Sequence, residues 1–164
     1  MTAAGRRPAL PEPAGPPRQR RAATGQLMIL DPAALVAFLV GSDPVSDDVR
    51  GTARGRRLAA PQGVDFQCAE ILAALVSAGQ LPAGEAERAL ELLGRMRVRR
   101  YDQGPLLRRV WQLRRALRSY DAACVALAEI LGAELLTIGG TFTAVRGIKC
   151  SIRDLSSRST VSEV

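Results

Sequence analysis

The 164-residue chain contains no histidine, and this absence excludes a Ser-His-Asp triad, a histidine general base and histidine metal ligands. Aromatic residues make up 4% of the sequence, which argues against base stacking as the main mode of nucleic-acid recognition. No run of eighteen apolar residues exists, so no transmembrane helix is expected. A Walker A loop, a GxGxxG fingerprint and zinc-type cysteine spacing are also missing. Carboxylates and arginines are left as the groups that carry chemistry.

Cysteines are few, and their pattern indicates the redox compartment. Cys68, Cys124 and Cys150 are odd in number, lie in apolar contexts and form no CxxC pair. We expect them to be reduced, buried thiols, as is typical of cytoplasmic proteins. No segment has the apolar run of a secretory signal, which also favours a cytoplasmic location.

The two ends of the chain differ in composition from its middle. Residues 1 to 26 contain five prolines and five arginines but one acid, Glu12. This composition predicts a disordered extension; a basic nucleic-acid-binding arm and an upstream start, with Met28 as the natural first residue, are the alternatives. Residues 27 to 155 are predicted to form one domain, and residues 156 to 164 a polar tail.

Strand-like and helix-like patterns alternate through the predicted domain. Apolar strand segments are expected at residues 27 to 30, 58 to 60, 96 to 100, 135 to 138 and 148 to 152. Amphipathic or apolar helices, several opened by proline or an acidic cap, are expected between them. Alternation of this kind predicts an α/β fold with a mainly parallel central sheet covered by helices.

Two acidic residues lie at the ends of predicted strands and helices, where α/β proteins place their ligand sites. Asp31 comes directly after the apolar run LMIL, and Asp121 stands at the head of the apolar helix that leads to LLTI. Ligands of open α/β sheets bind beyond the carboxyl ends of the strands, so two carboxylates meeting there indicate a Mg²⁺ site. Either acid also suits a helix N-terminus as a cap or a partner of the helix dipole.

Three stretches carry ordered motifs: LMILDPAALV (residues 27 to 36), YDAACVALAE (residues 120 to 129) and LLTIG (residues 135 to 139). Together these motifs resemble the PIN-domain family, in particular VapC toxins of bacterial toxin–antitoxin pairs. A fourth, looser match covers residues 60 to 75. The resemblance implies a PIN-like fold in which Asp31 and Asp121 are catalytic residues that bind Mg²⁺ or Mn²⁺.

The chain departs from the family pattern at other positions of the acidic site. Gln67 stands where the resemblance implies a second acid, and Gly139 where it implies a fourth. Ala33 replaces a small hydroxyl residue. Glu70 lies three residues after Gln67 and on one helix would face roughly the same way, so it is an accessory candidate beside a capping or solvated role. The implied site charge falls from about four negatives to two, and metal affinity should fall with it.

Arginines dominate the charge of the chain, whose net charge is +7. The segment before Asp121 is rich in them, and Arg108, Arg109 and Arg115 are candidates for contacts with an RNA backbone, beside the simpler interpretation of a solvated helix face. Trp111, in the same segment, is expected in the core or in a dimer interface rather than as a base platform.

The resemblance implies a metal-dependent endoribonuclease toxin, a hydrolase of phosphodiester bonds that forms a homodimer and is inhibited by a VapB-like antitoxin. The lost carboxylates predict weakened activity. The alternative is a catalytically inactive PIN-fold module that binds antitoxin or RNA.

Overall fold

The computed structural model describes residues 25–139, 142 and 144–156. Five strands are present in this part of the chain: β1 (Leu27–Leu30), β2 (Arg57–Pro61), β3 (Val98–Tyr101), β4 (Glu134–Thr137) and β5 (Ile152–Asp154). The α-helices are α1 (Pro32–Val40), α2 (Pro44–Ala53), α3 (Val64–Ser77), α4 (Ala83–Arg95), α5 (Leu107–Leu113) and α6 (Ser119–Leu131). A 3-10 turn at Gly104–Leu106 precedes α5.

All five strands pair in parallel, in the order β3-β2-β1-β4-β5. β1 is central, with Ile29 opposite Ala59 of β2 on one side and opposite Leu135 of β4 on the other. Parallel neighbours require a crossover through a helix, which explains the alternation of elements along the chain. The predicted α/β fold with a parallel sheet flanked by helices is confirmed.

The sheet separates two hydrophobic cores. Met28 and Leu30 of β1 pack into one core with α1, α3 and α4, whereas Ile29 packs into the other with α6. This alternation is the two-residue period of a strand that is buried on both faces. The burial of both faces leaves the edge at which the strands end as the surface where polar side chains can converge.

Helix ends follow the local chemistry that the sequence predicts. Asp43 caps α2 by accepting a hydrogen bond from the Ser46 N–H at 3.0 Å, and Pro44 occupies the first turn. Gly132 ends α6 in the left-handed conformation, with φ of 58°. No helix in the described part of the chain is long and apolar enough to cross a membrane.

Three predicted elements differ from the structure. The last strand occupies Ile152–Asp154 rather than residues 148 to 152, because Ile148 and Cys150 pack against the core that contains α6, whereas pairing with β4 begins at Ile152. The spacing of Leu106, Val110, Leu113 and Leu117 predicts one helix, but α5 ends at Leu113 and Leu117 is buried beyond its end. The spacing of Ala86, Leu90 and Leu93 predicts that they share one face of α4, but Ala89 is buried with Ala86 and Leu93 while Leu90 is exposed. The predicted extension as far as residue 24, and residues 157 to 164 of the predicted tail, lie outside the described residues.

Candidate active site

A cleft of about 1040 Å³ lies at the edge of the sheet where β1 ends. It brings together side chains from α1, α3, α5 and α6 that are distant in sequence. Four predicted site residues line it: Asp31, Gln67, Glu70 and Asp121. The cleft is where a doubly covered parallel sheet is expected to bind its ligand.

Asp31 is buried at the junction of β1 and α1, and both of its carboxylate oxygens accept hydrogen bonds. Its Oδ1 accepts a hydrogen bond from the Ala34 N–H at 2.7 Å, which caps α1, and its Oδ2 accepts one from the Thr137 hydroxyl of β4. The residue is 5% exposed. Asp31 is therefore both a helix cap and a cleft residue, so the two interpretations of the sequence are compatible in one side chain.

The electrostatic environment of Asp31 is unusual for a carboxylate. Burial raises the pKa of Asp31 from its ordinary value of 3.8 to about 6, the two hydrogen bonds oppose this rise, and the charges of Asp121 and Asp154 add to it. A carboxyl group with such a pKa is charged at neutral pH only against a free-energy penalty. A cation bound beside it would relieve that penalty.

Asp121 reaches the same cleft from the first turn of α6. The hydroxyl of its neighbour Tyr120 donates to the Pro61 carbonyl at 2.7 Å, and this contact fixes the start of α6 against the end of β2. Burial raises the pKa of Asp121, while the charge of Arg118 lowers it. Asp31 and Asp121 line the same cleft, and the charge of Asp121 contributes to raising the pKa of Asp31.

The position of the implied second acid lies on α3. Gln67 is half-buried and Glu70 is exposed. Both line the cleft, because residues three positions apart lie on the same side of a helix. Asp65 points elsewhere, because its carboxylate pairs with Arg100 at 2.5 and 2.8 Å. Arg100 also donates to the Leu93 and Val98 carbonyls, so this pair joins α3 to β3 rather than serving the cleft.

Gly139 lies just beyond β4 and is not among the described residues that line the cleft. Its φ of +135° belongs to a region that L side chains rarely adopt, and a Cβ placed there would meet no atom within 4 Å. The position is therefore strained for a side chain although space is available.

Two polar residues near Asp31 were not predicted as part of the site. Thr137 is the last residue of β4, is 1% exposed and donates to Asp31. Asp154 follows an apolar segment, where the sequence predicts a turn residue, but it lies in β5 opposite Thr137 of β4. Its carboxylate accepts hydrogen bonds from the Ser156 N–H and hydroxyl, and its charge contributes to raising the pKa of Asp31. The LLT motif could have indicated Thr137 as a site residue, since Thr137 is the threonine of that motif. The position of Asp154 depends on the pairing register of β4 and β5, which the sequence does not show.

The arginine candidates divide into one tied side chain and two exposed ones. Arg109 pairs with Glu129 at 2.8 and 3.0 Å and donates to the Gly147 carbonyl at 2.6 Å, so its guanidinium is used inside the fold. Arg108 and Arg115 are exposed. Arg118 lines the cleft itself, and it had not been singled out as an RNA contact.

Trp111 is not a core residue, because 67% of it is exposed. The guanidinium of Arg114 lies 4.2 Å from its ring centroid, within the range of a cation–π contact. The expectation of a core position is therefore wrong, and the expected dimer interface stays a prediction.

The oxygen ligands of the cleft fit a hard divalent cation that needs few protein ligands. Mg²⁺ is usually held by one or two carboxylates, with water and substrate phosphate completing its shell. Asp31 and Asp121 supply two carboxylates with raised pKa values in one cleft, and the Gln67 amide lies on its wall. Within the described residues, however, no group of three or more His, Cys, Asp or Glu side chains is arranged to hold a metal.

Sequence comparison finds curated relatives that share most of the chain. Ribonuclease VapC9 of Mycobacterium tuberculosis is 34% identical over 111 residues, which are 68% of this chain and 84% of the relative. Ribonuclease VapC1 of the same organism is 32% identical over 126 residues, which are 76% of this chain and 95% of the relative. No protein-family model matches the chain.

Structural comparison finds the same fold in more distant proteins. Mycobacterium tuberculosis VapC20, a toxin that cleaves the sarcin–ricin loop, superposes with a TM-score of 0.57 at 17% identity, covering 74% of this chain and 96% of that one. VapBC2 from Rickettsia felis, solved bound to a DNA fragment from its promoter, gives a TM-score of 0.56 at 12% identity, covering 79% and 98%. These two likenesses concern the fold.

Proposed function

The chain belongs to the VapC-type PIN-domain ribonuclease family, and from that premise we propose that it acts as a metal-dependent endoribonuclease toxin of a type II toxin–antitoxin pair. The observation that carries the proposal is that Asp31 and Asp121 line the same cleft. The charge of Arg118 lowers the pKa of Asp121, whereas the charges that shift the pKa of Asp31 are those of Asp121 and Asp154. The proposed cofactor is Mg²⁺ or Mn²⁺, held by these two residues.

The residues of the cleft have separable tasks. A metal ion bound there would polarise the scissile phosphodiester and lower the pKa of an attacking water. Asp31 and Asp121 would hold the ion, and the hydrogen bonds from the Thr137 hydroxyl and the Ala34 N–H orient the Asp31 carboxylate. Arg118, at the wall of the cleft, is positioned to attract a substrate phosphate.

Partners follow from the family rather than from side-chain geometry. A VapB-like antitoxin is the proposed inhibitor, in keeping with the VapBC2 pair among the structural neighbours. RNA is the proposed substrate, the cytoplasm the proposed location, and a homodimer the proposed assembly. The exposed residues Arg108 and Arg115 remain candidates for contacts with the RNA backbone. Arg109 is not proposed as such a contact, because its guanidinium forms an ion pair with Glu129.

A second function, binding without cleavage, is favoured by one specific observation. Gly139 offers no carboxylate, and the described residues contain no group of three acidic, cysteine or histidine side chains arranged for a metal. In that case the protein would retain antitoxin or RNA binding while the site binds metal too weakly for turnover.

A cleavage assay separates the two functions. The full chain is incubated with total bacterial RNA in Mg²⁺, in Mn²⁺ and in EDTA, beside Asp31→Asn, Asp121→Asn and the control Asp47→Asn, an exposed α2 residue that pairs with Arg50. The ribonuclease should cleave only with metal, and each site variant should lose at least about a hundredfold in rate, since even indirect partners of a metal typically contribute 10- to 100-fold. Equal cleavage by all three variants would refute the site. No cleavage by the unmodified chain, with RNA binding retained, would favour the binding function.

A further inference from the structure

The exposed side of α5 continues the cleft outward. Leu107 and Val110 line the cleft, and Trp111 lies one turn after Leu107 on the same side of the helix. Leu107 is 63% exposed and Trp111 67% exposed. A large apolar side chain of this exposure at the rim of a site requires an explanation, because indole rings are usually covered.

Trp111 is also held in a defined orientation. Arg114 donates from Nη1 to the Trp111 carbonyl at 2.7 Å while its guanidinium lies 4.2 Å from the ring centroid. One face of the indole is therefore occupied by a cation that is itself fixed to the backbone. Since 67% of the residue is still exposed, the opposite face is open to solvent.

The positive charge around the Trp111 ring favours a polyanionic partner over a second copy of the chain. Residues 107 to 118 contain five arginines and no acidic residue. Arg108, Arg114, Arg115 and Arg118 are exposed, and Arg118 lies in the cleft. A two-fold contact through this surface would bring arginines of two copies together, which is unfavourable, whereas a polyanion with flat apolar bases satisfies both the arginines and the ring.

We propose that Trp111, backed by Arg114, is a base-stacking platform for single-stranded RNA entering the cleft, with Arg108, Arg115 and Arg118 contacting the adjacent phosphates. This assignment rests on the proposed function for its substrate class. It adds a subsite that positions one nucleotide beside the carboxylates. Such stacking accepts any base, since every base has a π-face, so the platform contributes affinity and register more than sequence readout.

Trp111 is the only tryptophan of the chain, and its fluorescence therefore reports on the platform directly. The full chain is titrated in EDTA, which prevents metal-dependent cleavage, with an oligoadenylate and with an abasic oligomer of equal phosphate number. The oligoadenylate should quench the fluorescence strongly. The abasic oligomer should bind more weakly and quench little, because it offers phosphates without a ring.

Variants measured by anisotropy of a labelled oligoadenylate complete the test. Trp111→Leu, which keeps apolar bulk, should weaken binding about tenfold and Trp111→Phe less, since stacking on an aromatic ring is lost in the first and retained in the second. Arg114→Gln should weaken binding severalfold. Ile130→Ala and Arg88→Gln remove exposed side chains of α6 and α4 outside the cleft and should change nothing.

Two results would overturn the platform. The first is equal binding by Trp111→Leu and the unmodified chain. The second is a free protein whose tryptophan emission is that of a buried indole and shifts on dilution, which would assign Trp111 to an interface between copies. Absence of metal-dependent cleavage together with quenching by oligoadenylate would instead refute the proposed ribonuclease while leaving the platform intact.

Discussion

β1 and β4 are neighbours in the sheet and end at the same edge, yet their ends differ in chemistry. β1 ends in Asp31, which is buried, caps α1 and accepts a hydrogen bond from β4. β4 ends at Thr137, and the chain beyond it reaches Gly139, which is exposed and has a positive φ. The family pattern implies an acid at both positions, and this chain has one at the first only.

The difference indicates which carboxylates a fold can lose. Asp31 has structural contacts on both oxygens, so its replacement would disturb a helix cap and an inter-strand contact as well as a metal site. A Cβ at Gly139 would meet no atom within 4 Å, so the described structure has no contact that a side chain at this position would have to fill. An acidic site can therefore lose charge at one strand end while its architecture persists.

The largest expected effect on stability comes from the charge at the end of β1. The pKa of Asp31 is about 6 in the fold against an ordinary 3.8, so the folded state binds the proton more tightly. Stability from this group is therefore complete at low pH and is lost as pH rises from 3.8 to about 6. The loss amounts to up to about 3 kcal/mol above that range.

Asp31→Asn removes this titration and is measured by denaturant unfolding at about pH 4 and about pH 8. The stability of the variant relative to the unmodified chain should be higher at about pH 8 than at about pH 4, because only the unmodified chain has a buried charge to lose stability as the pH rises. Saturating Mg²⁺ should raise the stability of the unmodified chain but not of the variant. An advantage of the variant that is the same at both pH values would show that burial does not penalise the Asp31 charge.

The fold was predicted more completely than the site, and the reason is physical. Apolar runs such as residues 27 to 30 and caps such as Asp43 act over a few residues, so local pattern is sufficient to find them. The contact between Thr137 and Asp31 joins residues 106 positions apart, and the ion pair of Arg109 with Glu129 joins residues 20 apart. Such contacts depend on strand register and helix docking, which no local pattern encodes.

The same reason explains the misplaced residues. Residues 148 to 152 have the apolar content of a strand, but pairing with β4 begins at Ile152. Trp111 has the hydrophobicity of a core residue, but it is 67% exposed on α5. Hydrophobicity predicts that a side chain favours burial, and only the packing of elements decides whether it is buried.

An intermediate effect is expected at the end of β4. Gly139→Ala and Gly139→Asp should each lose about 2 kcal/mol of unfolding free energy, because a side chain at this φ is strained even in open space. Gly139→Asp should nevertheless bind Mn²⁺ more tightly than Gly139→Ala, the control with the same strain and no charge. The gain should exceed additivity when Gln67→Glu is added, since the groups would share one ion. An unchanged stability of Gly139→Ala would show that the backbone there relaxes freely.

The smallest expected effect concerns the residue that links the two strand ends. Thr137→Val keeps the buried branched shape at the end of β4 but removes the hydroxyl that donates to Asp31. Unfolding at about pH 8 should show a loss of about 1 kcal/mol, the usual net value of such a bond. Mn²⁺ affinity should fall about tenfold, because the Asp31 carboxylate is no longer held in one orientation.

Thr52→Val, a half-buried substitution on α2 away from the cleft, is the matched control and should leave metal affinity unchanged. If both variants bind Mn²⁺ as the unmodified chain does, Thr137 stabilises the sheet without orienting the site, and the helix cap at Ala34 alone is sufficient to hold Asp31.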